Sequence, residues 1–113
     1  MKYKVSELDQ FKIVHISGDV ESDAEAESLI KEVNKIFREG CRDICFDLEE
    51  TSYMNSSGVS VFIHALAEAE VENGTLYMIV SDKEVKEVIE LTGLHKLIRT
   101  YGSMKEFKKE NIS

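Results

Sequence analysis

The stretch that decides the fold runs Ile44-Cys45-Phe46-Asp47-Leu48, then Glu49-Glu50-Thr51-Ser52-Tyr53-Met54, then Asn55-Ser56-Ser57-Gly58-Val59. Its first five residues are mostly apolar, which suits a short, largely buried strand. A brief loop follows. From Val59 onward, Phe62, Ile63, Leu66 and Ala69 recur at helical spacing, and the pattern stops near Asn73-Gly74. A buried strand that feeds a helix implies a crossover connection, and so a parallel neighbour in the sheet.

The same alternation continues in both directions. Upstream, Tyr3 and Val5, then Phe11, Ile13 and His15, sit at period two, as do Val14 and Ile16, with Asp9-Gln10 between the two runs. This predicts an N-terminal β-hairpin. Ser22-Asp23-Ala24-Glu25 has capping-box spacing. Behind it Leu29, Ile30, Val33, Ile36 and Phe37 predict a helix, with Gly40 placed for a left-handed C-terminal residue. Downstream, Thr75 to Val80 reads as a strand, and Ser81-Asp82-Lys83-Glu84 as a second capping box opening a helix that carries Val85, Val88 and Ile89 to Gly93. Leu97 to Tyr101 reads as a last short strand. Ser103-Met104-Lys105-Glu106 is a third box, opening a helix with Met104 and Phe107 on one face. The predicted order is β-β-α-β-α-β-α-β-α: an α/β fold with a mixed, mainly parallel sheet opened by the hairpin, and about four helices.

Composition narrows the function. The chain has 113 residues, 42% hydrophobic and 32% charged, with no proline. That length suits one domain. Its 14 Lys plus Arg stand against 22 Asp plus Glu, a formal charge of −8. Such a balance argues against general nucleic-acid binding, which needs cations to neutralise phosphates, and against docking on anionic lipid. No apolar run approaches the roughly 18–20 residues of a membrane span. Met1 to Glu7 lacks the apolar core of a signal peptide, so a cytoplasmic location is expected. On a shared strand, Cys41 and Cys45 would lie about 13 Å apart. That separation excludes a bridge between them, and without a neighbouring His they make a poor zinc set. They read as small buried apolar side chains.

The chemistry concentrates at Asn55-Ser56-Ser57-Gly58. The plainest role for these residues is N-capping, worth about 1 kcal/mol. The same geometry allows more. A helix N-terminus offers free amides and about half a positive charge, a field that tolerates a phosphate on Ser56 or Ser57 or a bound anion. A phosphate there would add about −1.5 to −2 charges to whatever surface the helix start presents.

At these residues the sequence resembles the STAS domain family, and most closely its bacterial anti-sigma factor antagonists. Their signature is an apolar strand, Asp-Leu, a short loop, then aromatic-Met-Asp-Ser-Ser/Thr-Gly-Leu-Gly. It stands here as Phe46-Asp47-Leu48, then Tyr53-Met54-Asn55-Ser56-Ser57-Gly58-Val59-Ser60. Gly18-Asp19-Val20-Glu21 loosely matches a second family feature, and Leu91-Thr92-Gly93-Leu94 a third. The resemblance implies a single STAS domain over residues 1–113 that binds an anti-sigma factor, itself a serine kinase, and so frees a sigma factor. It implies Ser56 as the phosphoacceptor, with a phosphatase to reverse the modification. It implies a partner surface of Glu21, Asn55, Ser56, Ser57 and Gly58. Three departures from the family pattern bear on the site. Asn55 replaces Asp and removes a charge beside the acceptor. Glu21 replaces Asp and lengthens its reach. Ser60 replaces Gly.

Two other functions stay open. One is a STAS partner subunit that is never phosphorylated, in a stress-signalling or lipid-transport complex. The other is a serine hydrolase, since strand, turn, Ser and helix is the layout of a nucleophile elbow. Gly58-Val59-Ser60-Val61-Phe62 supplies only the first glycine of that motif. His15, His64 and His95 show no partner in the pattern, and a triad needs one. Phosphate-binding glycine loops are absent. The acidic run Glu68-Ala69-Glu70-Val71-Glu72 reads as a solvated helix face. The expectation is therefore a binding protein without catalytic residues, metal or cofactor, whose oligomeric state is open between monomer and weak dimer.

Overall fold

The structure, a computed structural model, describes residues 1–112. Five strands lie in the order β1-β2-β3-β4-β5, so every strand neighbours its successor in the chain. β1 (Lys2–Leu8) and β2 (Phe11–Ser17) form the expected antiparallel hairpin, closed at Leu8 opposite Phe11. Asp9 turns the corner at φ 53°, a left-handed conformation that Asp tolerates better than most side chains. β3 (Asp43–Glu50), β4 (Thr75–Ile79) and β5 (Arg99–Tyr101) follow in parallel.

Period two sorts the strand residues between two cores. Val14 and Ile16, Ile44, Phe46 and Leu48, and Leu76 and Met78 face the helices α1 (Asp23–Arg38), α2 (Ser56–Glu72) and α3 (Lys83–Leu91). Phe46 meets Phe62 edge-on, ring centres 5.0 Å apart. On the opposite face Phe11, Ile13, Cys45, Ile79 and Tyr101 lie under α4 (Met104–Asn111). Its Phe107 is fully buried against the rings of Phe11, Tyr77 and Tyr101, with centres 5.1–5.8 Å apart. α4 is short, so this second core covers only part of its face.

The helix ends follow local chemistry. Ser22 accepts from the Glu25 amide at 3.2 Å, and Glu25 reaches back to the Glu21 amide. At the far end of α1, Gly40 takes φ 100°, its N–H donates to the Phe37 carbonyl, and that of Cys41 to the Ile36 carbonyl. These two bonds are the Schellman closure that the glycine permits. Asn73, at φ 57°, ends α2, and Gly74 brings the chain against α1. A Cβ on Gly74 would fall 2.7 Å from the Phe37 ring. Ser103 caps α4, while Glu106 accepts from the Gly102 amide at 2.8 Å.

Three local expectations are corrected. The cap of α3 is Asp82, whose carboxylate takes the Glu84 and Val85 amides, while the Ser81 hydroxyl donates to the Gly102 carbonyl. The last strand is only Arg99–Tyr101, because Leu94–Lys96 forms a 3₁₀ turn and leaves Leu97 exposed. Cys41 precedes β3 rather than sharing it with Cys45. Both thiols are free. Burial first, then the carboxylates of Asp47 and Glu49, push the Cys45 thiol upward, so it packs as a neutral apolar group.

Candidate functional site

β3 delivers the chain to the start of α2 through a loop pinned at several points. Thr51, almost fully buried, donates its hydroxyl to the Ile16 carbonyl at 3.0 Å. Ser52 donates to Asp19 at 3.0 Å. Val20 and Met54 then form a single parallel bridge, with Val20 N–H donating to the Tyr53 carbonyl and Asn55 N–H to the Val20 carbonyl. This bridge zips the loop before α1 to the loop before α2, so the two helix starts form one surface.

Asn55 joins them with both ends of its side chain. Its Oδ1 accepts from the Ser57 amide at 2.9 Å as the N-cap, and its Nδ2 donates to the Glu21 carbonyl at 3.0 Å. Ser57 donates its hydroxyl to Asp23 at 2.6 Å, and Ser60 donates to the Ser57 carbonyl at 2.6 Å. Ser56, the first residue of α2, is exposed, and among the described residues its hydroxyl makes no hydrogen bond. It is the uncommitted hydroxyl of the cluster. Gly58 is buried where the helix rests on the bridge. A Cβ there would stand 2.8 Å from Met54 Cβ and 3.2 Å from the Val20 carbonyl oxygen. Glycine is therefore required by close approach, since α2 is helical at this point.

Of the residues singled out in the sequence, Asn55, Ser56, Ser57 and Gly58 share one helix turn, and Glu21 adjoins them. Glu21 contributes its backbone: its carbonyl holds Asn55 and its N–H is held by Glu25. The carboxylate that meets this turn is that of Asp23, which accepts from Ser57 and which sequence reasoning missed. Its signal was its place in the first turn of a helix whose start adjoins α2. The first turn of α2 carries no acid. Alongside, Tyr53, Val88 and Leu91 form an apolar strip with Glu84 and Glu87 at its border. Tyr53 and Leu91 are largely exposed.

The histidines also differ from expectation, since two have partners. His64 contacts Asn34 across α1 and α2 at 2.9 Å, and His15 contacts Asp47 and Ser6. Ser60, the residue of the partial elbow motif, spends its hydroxyl on the helix backbone. Among the described residues no group of His, Cys, Asp and Glu is arranged to hold a metal, and no helix is long and apolar enough to cross a membrane.

Comparison with known proteins adds three findings. The STAS domain family model matches residues 2–107. The anti-sigma-B factor antagonist of Staphylococcus aureus is 30% identical over 92 residues, covering 80% of this chain and 82% of that protein. Among solved structures, a putative anti-sigma factor antagonist from Thermotoga maritima superposes with a TM-score of 0.86 at 18% identity, covering 96% of this chain and 92% of that one. The Bacillus antagonist SpoIIAA superposes in both its forms. The unphosphorylated form gives a TM-score of 0.77 at 14% identity, covering 98% and 97% of the two chains. The phosphorylated form gives 0.75 at 16%, covering 96% and 98%. At such identities the structural likeness establishes the fold.

Proposed function

The chain belongs to the STAS domain family, and from that membership and the chemistry around Ser56 we propose that it works as one domain, as an anti-sigma factor antagonist switched by phosphorylation of Ser56. In its unmodified state the start of α2 and the Glu21 loop present amides, a free hydroxyl and the Tyr53–Leu91 strip to an anti-sigma factor. That partner is a serine kinase, and its capture frees a sigma factor. The kinase transfers phosphate to Ser56 and a phosphatase removes it. The observation that carries the reading is the single uncommitted hydroxyl on a turn whose other hydroxyls are engaged.

The helix field lowers the cost of a phosphate at this point. Asp23 already bonds the next residue, Ser57, and the adjoining loop carries Asp19 and Glu21, so a phosphate makes the surface strongly negative and repels a partner selected for the unmodified one. Intact-mass measurement of protein from its own cells, with phosphatases inhibited, tests the reading. A species heavier by one phosphate, mapped to Ser56 and absent in Ser56→Ala, supports it. A Ser56→Ala variant that still accepts phosphate at full level refutes Ser56 as acceptor. A Ser56→Asp variant that binds the partner as tightly as the unmodified chain refutes the switch.

Asn55 favours a second reading, a partner subunit that is never phosphorylated. Its Nδ2 bond to the Glu21 carbonyl is one an Asp carboxylate cannot make. Phosphate uptake by Asn55→Asp beside the unmodified chain separates the two. Uptake gained only by the variant favours the unphosphorylated subunit.

A further inference from the structure

On the sheet face that α4 leaves open, Ser6 of β1, His15 of β2 and Asp47 of β3 form a hydrogen-bonded line across three strands. His15 Nδ1 lies 2.7 Å from Asp47 Oδ2, and His15 Nε2 lies 2.8 Å from Ser6 Oγ. Register explains the meeting. His15 and Asp47 are direct partners in the parallel ladder, and His15 opposes Lys4, one diagonal step from Ser6. The second Asp47 oxygen accepts the Glu49 amide at 3.0 Å, which fixes the carboxylate plane. The Asp47 side chain is 13% exposed and that of His15 25%, whereas Ser6 is open to solvent.

The proton positions follow from donor logic. An ionised carboxylate only accepts, so Nδ1 carries the hydrogen, and in the neutral ring Nε2 is the free acceptor. The Ser6 hydroxyl therefore donates to a base that is oriented from behind, which is the arrangement of an activated nucleophile. Lys4 stands two residues before Ser6 on the same face, directly across from His15, where its cation can take charge developing on a carbonyl oxygen. Lys2, Lys4, His15, Ser17, Asp47 and Glu50 line an adjoining recess of about 470 Å³.

We propose that Ser6 is an acylatable serine and that this line is a second site, independent of Ser56, acting on small activated carboxylic esters. Ser6 Oγ forms a bond to the ester carbonyl carbon while its proton passes to His15 Nε2. The ester C–O bond then breaks, and the leaving alcohol takes that proton. Water next attacks the acyl-serine, gives a proton to Nε2, and releases the acid as Ser6 recovers its hydrogen. Ser6 and His15 are the catalytic residues, and Asp47 is a positioning residue that holds the tautomer.

The test is treatment of the full chain with an alkyl fluorophosphonate, followed by intact mass, peptide mapping and the labelling rate. One adduct per chain on Ser6 is expected, lost in Ser6→Ala, which alters an exposed residue. Asp47→Asn presents an amide donor to Nδ1 and moves the ring hydrogen to Nε2. It should slow labelling by on the order of 10²–10⁴-fold with an unchanged thermal midpoint. Rapid release of p-nitrophenol from p-nitrophenyl acetate should fall in parallel. Ser56→Ala should label at the full rate, which keeps this site distinct from the other. Labelling that survives Ser6→Ala, or that proceeds equally fast in guanidinium-unfolded protein, overturns the proposal.

Discussion

Gly58→Ala is the sharpest test of how the start of α2 is built. The added methyl would stand 2.8 Å from Met54 Cβ, 3.2 Å from the Val20 carbonyl oxygen and 3.3 Å from Val20 Cβ. Carbon atoms settle at about 3.5–4.0 Å, so the nearest contact needs a shift of close to 1 Å. None of the three atoms is a flexible chain end. Met54 and Val20 are both buried, and their backbones are joined by the bridge. Overpacking costs about 1–3 kcal/mol, and a Cβ-to-Cβ clash belongs at the upper end. Alanine's better helix propensity returns about 1 kcal/mol. The net loss is about 2 kcal/mol, which for a chain of this size lowers the thermal midpoint by about 8 °C. Calorimetry or circular dichroism against the unmodified chain measures it. A midpoint equal to or above that of the unmodified chain would refute the close-approach argument, and with it the description of α2 as resting on the Val20–Met54 bridge.

Three further outcomes follow from the same geometry. Asn55→Ala removes both the cap and the tie to Glu21 and should cost about 1–2 kcal/mol in urea unfolding, whereas Asn55→Asp keeps the cap and should cost less. Thr51→Val leaves the Ile16 carbonyl without its buried donor and should lower stability by about 1–3 kcal/mol with no change in the denaturant slope. The N-terminal ammonium, 3.0 Å away, holds the Glu25 carboxyl below its ordinary value of 4.5. A depressed carboxyl contributes stability above its unfolded value, which fades as pH falls through the lower folded value. Urea midpoints should therefore fall less on acidification from pH 5 to pH 3 in Glu25→Gln than in the unmodified chain.

Much of the fold was legible because each element carried its own local signal. The hairpin, the alternation of strands and helices, the Ser22 and Ser103 caps and the turn at Gly40 all rest on residues within a few positions of one another. What stayed hidden depends on distant pairing. Ser81 and Asp82 are equally good caps by composition, and only the approach of Gly102 diverts the serine. The run from Leu97 to Tyr101 reads as strand because alternation does not reveal that the partner strand offers just three paired residues. Asp23 adjoins Ser57 only because Val20 bridges Met54. Likewise His15 finds Ser6 and Asp47 through the ladder register, which no spacing along the chain encodes. Asn55 to Gly58 stood out because the candidate site is contiguous there, while its other half lies some thirty residues away.

That division has a practical consequence for testing the role proposed for Ser56. A synthetic peptide from Tyr53 to Ser60 would contain the serine and its immediate neighbours. It would lack Glu21 and Asp23 and the bridge that fixes their position, and so would be a disordered string with a different surface. An enzyme or antibody that reads the assembled corner is blind to such a string, so peptide arrays are the wrong instrument for finding it. Screening with the intact folded chain, or with a graft that carries both loops on a rigid scaffold, preserves the feature being sought.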